Sequence, residues 1–71
     1  MKRVPVVSSS ISAIAYAADT NLLEVEFHHG ANYQYFAVSR VTFDALMVAD
    51  SKGAFFNQHI KSRHPFRRMA T

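Results

Sequence analysis

The sequence predicts an α+β fold: a three-stranded antiparallel β-meander followed by two α-helices packed on one face (βββαα). Three observations lead there. Residues 11–38 hold runs in which apolar residues recur at every second position, the period of a strand. Turn-forming groups, Asp19-Thr20-Asn21 and His29-Gly30-Ala31-Asn32, separate those runs by only a few residues, so neighbouring strands pair antiparallel. From Arg40 onward the apolar spacing changes to the i, i+3, i+4 pattern of a helix.

Residues 1–7 are expected to form an arm. Val4, Val6 and Val7 can add to a sheet edge, but Pro5 has no amide to give to a ladder. Ser8-Ser9-Ser10 is a polar break whose hydroxyls can bond local backbone groups. The first strand runs from Ile11 to Ala18, with Ile14 and Tyr16 on one face and Ile11 on the other; its many alanines also allow a helix. The second runs from Leu22 to His28, with Leu23, Val25 and Phe27 facing inward and Glu24, Glu26 and His28 facing water. The third, Tyr33 to Val38, turns Tyr33 and Tyr35 to one face and Gln34, Phe36 and Val38 to the other.

Ser39 has the side chain of a helix N-cap. The first helix is expected from Arg40 to about Asp50, with Phe43, Leu46, Met47 and Asp50 along one stripe. Ser51-Lys52-Gly53 is expected to stop it, with Gly53 in the left-handed conformation. The second helix is expected from Ala54 to about Arg63, burying Phe56 and Ile60 with Phe55 and His59 beside them. Pro65 disfavours helix at the residue before it. Phe66 is expected to tuck onto the core, which ends the domain proper (8–66), and residues 67–71 to fray as a basic tail.

A chain of 71 residues makes one domain with a small core, and the stability expected is on the order of 3–5 kcal/mol. With no cysteine it has neither a disulfide nor a thiolate metal cluster, which suits a reducing compartment. No run approaches the roughly 20 apolar residues of a membrane span. Met1-Lys2-Arg3 followed by valines has the outline of a signal peptide, but Pro5 and the serines cut it short. A cytoplasmic location and no membrane partner are expected. Charge is unevenly placed. Residues 1–51 hold Lys2, Arg3 and Arg40 against Asp19, Glu24, Glu26, Asp44 and Asp50, a balance of −2. Residues 52–71 hold Lys52, Lys61, Arg63, Arg67 and Arg68 with no acid, a balance of +5. Such asymmetry points to a polyanionic partner; the alternative is a solvated tail.

Those five cations suit phosphate contacts rather than sequence readout, and Phe66 and His64 are interleaved with them. Tyr33 and Tyr35 are candidates for stacking on unpaired bases. The competing reading packs both rings beneath the helices, with their hydroxyls at the rim. The four histidines lack the spacing of a metal site. Glu24 and Glu26, the one close pair of carboxylates, fall on a wet strand face, and two glycines make no phosphate loop. No catalytic group, metal or cofactor is expected.

An ordered set of residues resembles the KTSC domain, named for the C-terminus of some lysyl-tRNA synthetases. It begins with Ser8-Ser9-Ser10-Ile11, Ile14 and Tyr16, then Leu23, Val25, Phe27 and Gly30. It continues with Tyr33-Gln34-Tyr35, Val38, Ala49, Ser51-Lys52-Gly53, Phe55-Phe56-Asn57 and Ile60-Lys61. The resemblance implies a small domain, fused to a synthetase or standing alone, for which RNA binding is the usual conjecture. It gives weight to Ser51, Gly53 and Asn57, the last as a ligand contact or a local backbone partner. Where the family tends to carry an aromatic after the second helix, this chain has Arg63-His64-Pro65-Phe66. The function expected is a non-catalytic nucleic-acid-binding module, with tRNA or single-stranded RNA as partner. The alternative is a protein-interaction or homodimerisation module acting through a sheet edge or the Phe36/Val38 face.

Overall fold

The computed structural model describes residues 1–69; Ala70 and Thr71, at the end of the expected tail, lie outside them. The architecture is α+β, but the sheet is larger than a three-stranded meander. It has five antiparallel strands in sequential order: β1 (Val4–Pro5), β2 (Ile11–Ala17), β3 (Leu22–Phe27), β4 (Asn32–Tyr35) and β5 (Phe66–Arg68). The expected meander is β2–β3–β4. The two added strands are the edges. They are too short to show a period, and β1 contains a proline, which an edge strand tolerates. Arg67 and Arg68, expected in a frayed tail, pair instead with Gln34 and Tyr33 across the β4–β5 ladder.

Helices α1 (Arg40–Val48) and α2 (Lys52–His59) lie between β4 and β5 in the chain and pack on one face of the sheet. Phe43 of α1 stacks on Tyr16, with centroids 4.4 Å apart and planes within 6°. Phe56 of α2 meets Tyr35 at 5.1 Å and Phe27 at 5.5 Å, both edge-on. Beneath the helices the buried core is Ile11, Ile14, Leu23, Val25, Tyr35, Val38, Leu46, Phe56 and Ile60.

Two residues reach this core against the simple alternation. Ile11 was expected opposite Ile14 and Tyr16. A register shift between Ile11 and Ala13 places Ile11 against Phe27 and Ile14 against Val25, so Ile11 joins the core face. The bulge absorbs the one-residue slip that strict alternation forbids. Val38 was expected to share an outer face with Phe36. The strand ends at Tyr35 and Ala37 takes φ 60°, which swings Val38 into the core. Its amide donates to Asn21 O at 2.9 Å, and its carbonyl accepts from the Tyr16 hydroxyl at 2.6 Å. A Phe36/Val38 surface is therefore not available to a partner.

The helix junction also differs. Ser39 caps α1, accepting from the Thr42 amide, but α1 ends at Val48, and Asp50 lies outside the helix and in solvent. Ser51 is the N-cap of α2, accepting from the Ala54 amide at 3.2 Å. Gly53 thus lies inside the first turn of α2 rather than at a left-handed stop. Close approach explains its lack of a side chain: a Cβ there would sit 2.7 Å from Ser10 Oγ. The Ser8–Ser10 break is where the sheet meets the start of α2, and Ser8 Oγ accepts from the Ile11 amide just before the bulge. Phe66 does not tuck in: its residue is 58% exposed on β5.

Candidate functional site

The alternation of β3 and β4 sends Phe27, Tyr33 and Tyr35 to the helix side of the sheet, and α2 covers only part of that row. The uncovered part is a pocket of about 300 Å³. The strand aromatics form its floor, with Phe56 of α2 and Phe66 of β5 as flanks. Its polar lining is His29, Asn57 and Lys61, and among the described residues it contains no carboxylate.

Local folding places each group. The turn after β3 closes with Gly30 N donating to Phe27 O at 2.9 Å, and Gly30 takes φ 100°, which suits glycine. That turn lays the His29 ring parallel to Phe27, 5.5 Å away. At the other end α2 terminates with the Ile60 and Lys61 amides both donating to Phe56 O, which fixes Lys61 at the pocket rim. A cation there also complements the negative end of the helix dipole. Between them Tyr33, Tyr35 and Phe66 cluster, with centroids 5.7–6.3 Å apart.

The residues singled out in the sequence separate into groups. Tyr33, Tyr35, Asn57 and Lys61 come together in the pocket. Arg68 is the cross-strand partner of Tyr33 and so projects to the same face, beside the pocket. Arg63, exposed, lies just beyond Lys61 and donates Nε–H to Gln58 O at 3.3 Å. Arg67 pairs with Gln34 and projects to the opposite face. Lys52 is turned to the helix junction, where Nζ donates to Ala49 O at 3.2 Å. Ser51 and Gly53 serve the cap and the close approach described above. The tyrosines make no open stacking platform: Tyr35 is 3% exposed, and Tyr33 is half-buried. Burial pushes the Tyr35 phenol above its ordinary pKa, and the neighbouring Tyr33 phenol adds to the rise.

Three further residues line the pocket: Phe27 and Phe56, expected in the core, and His29, expected in a turn. The inward alternation of Phe27 with Tyr33 and Tyr35 was the available signal for a shared wall. His28 and His64 donate to backbone carbonyls, of Ser8 at 2.9 Å and Phe36 at 3.1 Å, and His59 lies on Phe55 at 4.5 Å.

The other sheet face holds the acids of β3. Arg3 bridges Glu24 at 3.3 Å and Glu26 at 3.1 Å and also donates to Asn32. Gln34 donates to the second oxygen of Glu24 at 3.1 Å. Among the described residues no helix is long and apolar enough to cross a membrane.

Comparison with known proteins gives a consistent picture. The family model of the KTSC domain matches residues 7–64. An uncharacterised protein of Stutzerimonas stutzeri is 47% identical over 64 residues, covering 90% of each chain. A lysine–tRNA ligase of Nostoc punctiforme is 36% identical over 62 residues, which span 87% of this chain and 11% of the ligase. The crystal structure of a KTSC domain protein from Yersinia pestis superposes with a TM-score of 0.92 at 38% identity, covering 97% of each chain.

Proposed function

This chain belongs to the KTSC domain family, and from that premise we propose that it is a small non-catalytic nucleic-acid-binding module whose ligand is RNA. The observation that supports this reading is the aromatic pocket with Lys61 and, among the described residues, no carboxylate in its lining. Lys61, Arg63 and Arg68 contact phosphates from the helix side of the sheet, and the pocket aromatics supply π-faces. Likeness to a segment of lysine–tRNA ligases makes an RNA ligand the natural choice over DNA. Arg67 and Lys52, though basic, stand outside this set.

Fluorescence anisotropy of a labelled tRNA and an unstructured RNA strand, each titrated at two salt concentrations, tests the proposal. Three phosphate contacts on a single strand give a log–log salt slope of about −2. No binding even at low salt overturns it.

One observation favours a second reading, a protein partner. Val41 and Val48, seven positions apart on α1 and so on one stripe, are 78% and 81% exposed. If α1 pairs with a second copy, thermal stability rises with protein concentration.

A further inference from the structure

We propose that the pocket admits a single unpaired base, so that the module selects single-stranded over paired RNA; this rests on the nucleic-acid reading and specifies its ligand. Size comes first. About 300 Å³ lies at the floor of the usual range for ligand pockets, roughly 300–1,000 Å³, so it suits one small planar group and not a stack. Chemistry comes second. The walls are rings rather than aliphatic chains: Phe66 stands 5.8 Å from Tyr33 on one side, and the parallel pair Phe27–His29 lies on the other. Rings of that kind hold a flat π-system in preference to a branched side chain.

The polar groups match the rest of a nucleotide. The Asn57 amide offers a donor and an acceptor together, as the edge of an unpaired base requires. The Lys61 ammonium at the rim is a donor only and suits the adjoining phosphate. Charge complementarity favours this occupant over an aromatic side chain of a protein. Arg68, the cross-strand partner of Tyr33, adds a second cation on the pocket's side of the sheet, while Glu24 and Glu26 are held on the far face by Arg3. A duplex keeps its bases stacked and paired, so none can enter a recess between β4, β5 and α2.

Phe66 is the residue on which this turns, because its ring is exposed, lines the pocket and sits on an edge strand. The chain has no tryptophan, so Phe66→Trp installs a single indole reporter in the site. The experiment compares the wild type, Phe66→Ala and Phe66→Trp at low salt. The probes are an unstructured mixed-sequence RNA strand and the same strand annealed to its complement. The expected result is tighter binding of the single strand than of the duplex. Phe66→Ala binds the strand about 5- to 100-fold more weakly with an unchanged salt slope, the loss of one stacked base. Phe66→Trp restores the binding that Phe66→Ala loses, and its indole emission falls as the strand binds. Salt-sensitive binding that treats duplex and strand alike, or that Phe66→Ala leaves intact, overturns the pocket while sparing the nucleic-acid reading. No binding of either probe overturns both.

Discussion

The two faces of the sheet are built from alternate residues of the same strands, yet they do opposite things. On the helix side, Ile14, Val25 and Tyr33 form one cross-strand row, and Tyr16, Leu23 and Tyr35 form the next. On the other side the corresponding rows are Ala15, Glu24 and Gln34, then Ala13, Glu26 and Asn32. One face concentrates apolar and aromatic area and leaves a recess where α2 stops short. The other is flat, small and hydrogen-bonded, with its carboxylates occupied by Arg3. A single period-two alternation thus separates a face with an aromatic recess from a hydrogen-bonded one. It also separates Arg67 from Arg68, neighbours in sequence that cannot contact the same ligand from the same side.

The contrast can be broken most forcefully through stability. Phe56→Ala removes a ring that touches both Tyr35 and Phe27, and is expected to cost about 3–5 kcal/mol, enough to unfold much of a domain this small. Chemical denaturation followed by circular dichroism reads this directly. Ser51→Ala removes the cap that starts α2 and is expected to cost about 1 kcal/mol in the same assay. Arg3→Ala, on the hydrogen-bonded face, breaks exposed ion pairs and is expected to cost under about 1 kcal/mol, less still at high salt. A loss from Arg3→Ala equal to that from Phe56→Ala would erase the distinction.

A finer test uses pH. The folded protein holds the Tyr35 phenol protonated above its ordinary pKa of 10.0. Between that value and the raised one the native state binds more protons than the unfolded chain, so stability is full below about pH 10 and falls above it. Tyr35→Phe is expected to flatten this alkaline decline in thermal midpoint. A decline of unchanged steepness in the variant would place its origin elsewhere.

The meander, both helices and the inward set Leu23, Val25 and Phe27 were legible because they repeat over enough residues for a period to show. The departures are single-residue events. A bulge at Ser12 carries Ile11 to the core, and a left-handed Ala37 carries Val38 there. Nothing in serine or alanine announces either, because the register of the neighbouring strand decides them. Gly53 follows Ser51-Lys52 as a glycine after a helix would, but its actual constraint, Ser10 Oγ from across the chain, is tertiary. Of the candidate site, Tyr33, Tyr35, Asn57 and Lys61 were each visible, but their meeting around one recess was not. It depends on where α2 ends and on β5, an edge strand of three residues with no pattern of its own.

The most direct measurement compares the salt dependence of single-stranded RNA binding for Lys61→Ala/Arg68→Ala with that for Arg67→Ala. The account predicts that the double variant lowers the slope by about 1.4, two phosphate contacts, while Arg67→Ala leaves it unchanged. Equal losses from the two, or a loss confined to Arg67→Ala, would contradict a binding site on the helix side of the sheet.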